Sequence, residues 1–437
     1  MPATANARSP IRKRKLLLRA RAVLPVSRTP ISNGAILIAG NRIADVGRWR
    51  DLAQAERDET IDLGDTILLP GLINAHCHLD YTDMAGQFSP PKIFSDWLKL
   101  ITTAKGHWNK SDYATSWMNG AQMLLRTGTT TVGDVEAMPE LLPEVWNLGS
   151  LRVLSFLEMI GITGRRKPEA IVREALDKID SLDVGRCCAG LSPHAPYSTL
   201  PELLRLGAAA ARERGLRICI HVAESAKEFE MFVHGRGEMY DWLRRSTRDM
   251  SDCGLGSPVR HLARYGVLGE NLLAIHLNCL AKGDTVLLAK HKVHVIHCPR
   301  SHEYFRHARF PLRRLLRAGI NVCLGTDSLA SVIKTRRETA ELNMFEEMQS
   351  LASRETSLPP KRILQMATVN GARALGMRGR IGELSPASFA DVIAIPYSGQ
   401  FSGIHDAVIT HKTDVSNSMI DGEWVRGDHV SQKELAV

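Results

Sequence analysis

Eight short apolar runs, rich in β-branched residues, recur along this chain with amphipathic stretches between them. The runs are "TILLPGLINAHCH", "TTTVGDV", "RVLSFLEMIG", "RCCAGLSPH", "LRICIHVAE", "LLAIHLNCL", "HVIHCP" and "NVCLGTDS". Segments such as "KPEAIVREALDKIDSL", "LPELLRLGAAAARERG" and "FPLRRLLRAG" lie between them and repeat their apolar residues at helical spacing. Eight strands alternating with helices predict an α/β fold built as a parallel (β/α)8 TIM barrel. The boundaries place this barrel, the catalytic unit, over residues 67–379.

The flanks read differently. Residues 15 to about 66 form short strands with turns, and "GAILIAGNRIADVG" carries a Gly-Asn hairpin signal. Residues from about 380 do the same in "RIGELSPASFADVIAIP" and "NSMIDGEWVRG". Segments 1–66 and 380–437 are therefore expected to pair into one small composite β-domain. The longest connections follow the first strand (residues 79–112) and the fifth (residues 225–256). On the catalytic face of a barrel, long loops are candidate lids.

Composition narrows the function. The chain has 437 residues, 44% apolar and 24% charged, ordinary values for a globular protein with a large core. No apolar run approaches the roughly 20 residues that span a bilayer, and no signal-like segment follows the basic N-terminus, so a cytoplasmic, membrane-free protein is expected. The eight cysteines include no C-x-x-C pair and fit a reducing compartment. The net charge is +9, but the basic residues are dispersed among acidic ones. That argues against nucleic-acid binding and suits an anionic small substrate. A homodimer is the expected assembly.

Polar chemistry gathers at the C-terminal ends of the runs, where a (β/α)8 barrel places its active site. His76 and His78 leave the first strand one residue apart, and side chains at i and i+2 share a face. His221 ends the fifth strand, with Glu224 three residues on. His276 ends the sixth and Asp327 the eighth. Three imidazoles and a carboxylate form a ligand set for a divalent metal, and a nearby glutamate can move protons.

The motifs "PGLINAHCHLD", "SPHAPYS", "HVAES", "HCPRS" and "GTDS", with "NGARALGM" and "GELSPASFADVIAI", run in one order over nearly the whole chain. In this the chain resembles the amidohydrolase superfamily, in the aminohydrolase and chlorohydrolase branch. The resemblance implies a distorted barrel with a small β-sandwich built from both termini. It implies that His76, His78, His221 and Asp327 ligate one divalent metal, zinc or ferrous iron. It further implies that Glu224, His276 and Asp327 do the chemistry on the bound water and that His194 contacts the substrate. Binuclear members carry a bridging lysine at the end of the fourth strand. "GRCCAGLSPHAPYS" has none, so a mononuclear site is expected.

The resemblance implies metal-dependent hydrolytic deamination of a 6-aminopurine nucleoside, with a metal-activated water attacking the amino-bearing carbon. "HCPRSHEYF" and "CLGTDSLAS" resemble the aminodeoxyfutalosine deaminases of the alternative menaquinone route, whose substrate bears a carboxylate. Arg300 and His302, or Arg165 and Arg166, are the candidate anion contacts. Trp97 and Phe94 either stack on the base or pack the lid. The competing readings are a deaminase of S-adenosylhomocysteine or methylthioadenosine, a chlorohydrolase or amidase, and a catalytically silent barrel.

Overall fold

The structure is a computed structural model and describes residues 14–334 and 340–427. The chain ends included in the expected terminal domain, 1–13 and 428–437, lie outside the described residues. Five strands come first: Lys15–Val23 (β1), Ile31–Ala39 (β2), Arg42–Arg48 (β3), Glu59–Asp62 (β4) and Thr66–Pro70 (β5). Eight more follow: Leu72–Cys77 (β6), Thr129–Glu136 (β7), Arg152–Met159 (β8), Cys188–Pro193 (β9), Ile218–Val222 (β10), Leu272–His276 (β11), His294–His297 (β12) and Asn321–Leu324 (β13). Val392–Pro396 (β14), Asn417–Ile420 (β15) and Glu423–Arg426 (β16) complete the set.

Strands β6 to β13 form one parallel sheet in sequence order. They correspond one for one to the eight apolar runs. The sheet closes where β13 runs on past its end. The amides of Thr326 and Asp327 donate to the His76 carbonyl at 3.0 and 3.2 Å, and Asn74 brackets Thr326 from the other side. Gly325 permits the approach, since a Cβ there would lie 2.7 Å from the His76 carbonyl oxygen. Alternation sorts the side chains. Cys219 joins Ile73, Phe156, Ile275 and Cys323 in the packed barrel interior. Its neighbour Ile220 packs outward with Leu204, Leu262 and Leu315 of the covering helices. The barrel is thus a filled core with its chemistry at one mouth.

The other sheet runs β16-β15-β14-β5-β1-β2-β3, with β4 beside β1, so both flanks build it as expected. One detail differs. The run "TILLPGLINAHCH" is two strands, with β5 in the terminal sheet paired to β14 and β6 in the barrel. The terminal sheet therefore takes in residues 67–70, which the sequence reading gave to the barrel. Gly71 makes the break: a Cβ there would sit 2.0 Å from Thr130 Oγ1, so only glycine lets the chain cross at this point. Among the described residues no helix is long and apolar enough to cross a membrane.

A buried ion network fixes the terminal sheet to the barrel. Arg152, the first residue of β8, donates to both oxygens of Asp391 at 3.1 and 3.2 Å and to Asp421 at 2.8 Å. Its guanidinium also lies over the Phe389 ring, 4.2 Å from the centroid. Both Arg152 and Asp391 are buried. Removing one partner leaves a buried charge uncompensated. Arg152→Ala is expected to lower the unfolding free energy by about 3–5 kcal/mol, measured by denaturant titration, whereas exposed Arg205→Ala should leave it nearly unchanged.

Candidate active site

Six side chains converge at the barrel mouth from the ends of β6, β10, β11 and β13. His76, His78 and His221 form one group of mutually close ligand atoms, and Glu224, His276 and Asp327 form the other; all six are buried. The backbone bends to aim them. Ala223, His276, Leu277 and Asp327 all take positive φ, between 48° and 71°, a conformation that non-glycine residues keep only when surrounding contacts hold it. Those contacts are present: Leu277 N–H donates to Val222 O at 3.1 Å and Cys279 N–H to Ala223 O at 3.1 Å.

The first group and Asp327 fit a metal. His78 Nε2 is 3.3 Å from His221 Nε2, and Asp327 Oδ1 is 3.6 Å from His76 Nε2 and 3.7 Å from His78 Nε2. Ligand bonds of about 2.0–2.1 Å in a tetrahedron put donor atoms roughly 3.3–3.4 Å apart. Among the described residues neither nitrogen of His76 has a hydrogen-bond partner despite complete burial, a state that native structures rarely leave unexplained. Burial, then the neighbouring imidazoles, holds His78 and His221 well below the usual histidine range, so both are neutral and free to ligate. His221 Nδ1 contacts the His194 carbonyl at 3.0 Å. Donation there leaves the Nε2 lone pair facing the cluster, the usual outer partner of a metal-binding imidazole. Burial would raise Asp327, but His76, His276 and His78 around it hold it well below the carboxylate range. Its Oδ2 accepts from Ser301 at 2.6 Å and Ser331 at 3.1 Å, which turns Oδ1 to the histidines.

Glu224 stands beside this set, 3.5 Å from His276 Nε2. Burial, then the charges of Asp327 and Glu228, pushes its carboxyl well above the ordinary range. Burial pushes His276 down to about 3. Buried Glu228 clamps the turn by accepting from the amides of Ala223 and Glu224 at 2.9 and 2.8 Å.

The cavity in front is lined by His78, His221, Glu224, His276 and Asp327 and by Tyr81, Trp97, Lys105, Glu158, His194 and Tyr197, among others. Both expected lids are largely helical, with helices at Phe94–Lys105, Ala226–His234 and Glu238–Arg245. Phe94 and Trp97 stack with centroids 6.2 Å apart and meet Phe305 edge-on. Trp97 also donates to the Ala330 carbonyl at 3.3 Å. The pair therefore packs the lid and lines the cavity at once.

The expected anion contacts are not there. Arg300 donates to the Glu341 carbonyl and pairs with Glu346, both at 2.8 Å, while its amide donates to Glu347 at 3.0 Å. The helix Pro299–Tyr304 starts directly after β12, and each residue rotates about 100° from the last. Ser301 points to Asp327, so Arg300 and His302 point elsewhere. His302 Nδ1 meets Asn278 Oδ1 at 3.0 Å, and Asn278 donates to the Glu224 carbonyl at 2.9 Å, so His302 sits behind the site. Arg165 and Arg166 are exposed, and Arg166 pairs with Glu174. Sequence reasoning passed over Lys105 and Glu158, the cavity's own charged lining. Both left a signal: Phe94, Trp97, Ile101 and Lys105 are spaced 3, 4 and 4 apart, one helical face, and Glu158 is an acid inside an apolar strand.

The sequence pattern described as the amidohydrolase family matches residues 67–425. A 5-methylthioadenosine/S-adenosylhomocysteine deaminase of Syntrophobacter fumaroxidans is 31% identical over 90% of this chain and 88% of its own length. A 5'-deoxyadenosine deaminase of Methanothermobacter thermautotrophicus is 31% identical over 84% of this chain and 81% of its own. The crystal structure of Helicobacter pylori aminofutalosine deaminase with methylthio-coformycin superposes with a TM-score of 0.83 at 20% identity, over 94% of this chain and 99% of that one, which supports the fold.

The ligand set predicts one tightly held divalent ion. Metal analysis of the purified protein should give about one equivalent per chain, and His221→Ala should lose most of it. A second equivalent with activity tracking it would contradict a single-ion site.

Proposed function

The chain belongs to the amidohydrolase family and is a hydrolase of non-peptide carbon–nitrogen bonds. From that premise we propose that it deaminates a 6-aminopurine nucleoside by hydrolysis, as a cyclic amidine aminohydrolase. The observation that carries this reading is the placement of Glu224: a buried proton carrier beside, but outside, the three-histidine, one-aspartate set. Deamination of an aminopurine needs a water activated near neutral pH and a proton delivered twice, to a ring nitrogen and then to ammonia.

His76, His78, His221 and Asp327 are the residues that would hold the ion. Bound there, a divalent ion supplies a water whose pKa falls to about 7. Burial pushes the Glu224 carboxyl upward and so favours its protonated form, which suits it to donate to the ring nitrogen beside the attacked carbon. It then collects the water's proton and passes it to the departing amine. His276 stays neutral and holds the reacting oxygen by hydrogen bonding. Asp327 Oδ1 is a second acceptor close by, with Oδ2 already occupied by the two serines. The aromatic wall of Phe94 and Trp97 suits a flat base.

Within this class, the relatives favour adenosines altered at the 5' carbon, such as methylthioadenosine, S-adenosylhomocysteine or 5'-deoxyadenosine. The finer reading is aminodeoxyfutalosine, carried by "HCPRSHEYF". With Arg300 committed to Glu346 and Glu347, Lys105 is, among the described residues, the cavity-lining cation left to meet a substrate carboxylate.

Conversion of adenine to hypoxanthine changes the ultraviolet absorbance, so a panel of these nucleosides with adenosine tests the class directly. Glu224→Gln should keep the ion and lower kcat by about 10²- to 10⁴-fold; near-normal turnover would remove Glu224 from the mechanism. Lys105→Met should raise KM for a carboxylated nucleoside roughly 10- to 150-fold more than for adenosine. Equal changes on both would place the carboxylate elsewhere.

A further inference from the structure

The cavity contains one carboxylate that the hydrolytic chemistry leaves unused. Glu158 stands near the end of β8, its side chain only 8% exposed, and it lines the cavity. Two partners stand at the edge of ion-pair distance, outside hydrogen-bond reach. Lys105 Nζ lies 3.9 Å from Oε2, and His194 Nε2 lies 3.9 Å from Oε1. Neither is a hydrogen bond at that distance. Among the described residues no hydrogen-bond donor closes on either oxygen. A carboxylate buried this deeply is expected to have donors, so this one is short of them.

His194 cannot make up the deficit. Its Nδ1 is 2.6 Å from Ser198 Oγ, which is 3.2 Å from the Ala195 carbonyl. Using both contacts requires Nδ1–H to donate to Ser198 while the serine proton goes to Ala195. His194 Nε2 is then a lone pair. The wall presents a row of acceptors, Nε2 and the two Glu158 oxygens, ended by the Lys105 ammonium.

The row also has a direction. His194 borders the histidine cluster, because its carbonyl contacts His221 Nδ1. Glu158 comes next, 3.9 Å from His194 Nε2, and on its other oxygen faces Lys105, whose ammonium also lies 4.7 Å from the Tyr81 ring centroid. A purine with its amino-bearing carbon at the cluster therefore sets its sugar against Glu158.

We propose that Glu158 is a specificity-determining residue that accepts the hydroxyls of a ribose cis-diol, with Lys105 facing the substituent on the 5' carbon. This rests on the nucleoside reading above. Only hydroxyl or amine donors satisfy such a row, and a nucleoside's vicinal diol brings two donors at the spacing one carboxylate can take. Replacing Glu158 by glutamine removes the charge and gives one of the two positions a donor of its own.

The experiment compares kcat/KM for adenosine, 2'-deoxyadenosine and 3'-deoxyadenosine in the wild-type holoenzyme, in Glu158→Gln and in Glu158→Asp. The wild type should prefer adenosine at least tenfold over each deoxynucleoside, mostly through KM, since a buried acceptor left unpaired is penalised. Glu158→Gln should lose at least tenfold on adenosine and bring the ratios close to one, and Glu158→Asp should restore part of the preference. A wild type indifferent to the missing hydroxyls overturns the proposal even if no variant folds. So does a preference that survives unchanged in Glu158→Gln, which would mean that Glu158 serves only to neutralise Lys105. Failure of these three and of the 5'-altered adenosines of the panel to react overturns this proposal and the deaminase reading together, whereas reaction without the expected ratios overturns this proposal alone.

Discussion

Desolvation is the constraint around which this molecule is organised. Four imidazoles and two carboxylates are packed at one end of a barrel, out of water, in two adjoining groups of three mutually close ligand atoms. Protein groups alone do not satisfy them, as the two unpartnered nitrogens of His76 show. Such a cluster persists only where the scaffold holds it rigidly and a cation completes it. The features around it supply that rigidity. The barrel closes on the carbonyl of a candidate ligand, the left-handed residues at three strand ends are pinned by neighbouring amides, and Glu228 clamps the turn that carries Glu224.

A division of labour follows. Strand ends carry the groups proposed to act on the reacting atoms, where the sheet fixes positions well. Specificity is shared between one strand residue, Glu158, and the helix Phe94–Lys105. That helix is tied to the second lid by Ser95, 3.1 Å from Glu238, and by Lys99 over the Trp242 ring. The two lids therefore bear on each other as well as on the cavity, and a change in one is felt at the other.

The barrel and the six residues at its mouth were legible in the sequence because both signals are local. An apolar run announces a strand, and a polar residue at its C-terminal end announces the mouth. What was misread depended on distant partners. Arg300 looked like an anion site because its neighbours in sequence gave no hint of Glu346 and Glu347, which reach it from another helix. "TILLPGLINAHCH" looked like one strand because nothing inside it reveals that Thr130 crowds Gly71. Lys105 and Glu158 were legible but unread: a lysine in phase with two aromatic residues, and an acid in a buried strand.

The seam between β6 and β13 has a consequence for how the chain comes to be made. Asn74 and Thr326, which meet there, are 252 residues apart. At a synthesis rate of about 5–20 residues per second, the paired histidines emerge roughly 10–50 s before Asp327 does. During that interval the nascent chain offers an incomplete set of imidazole donors and no enclosing barrel. Such a fragment has no geometry with which to prefer zinc or iron, and copper outcompetes both at an unshaped nitrogen site. Faithful metal loading therefore belongs to the finished polypeptide, after the last strand has been released and the ring has closed.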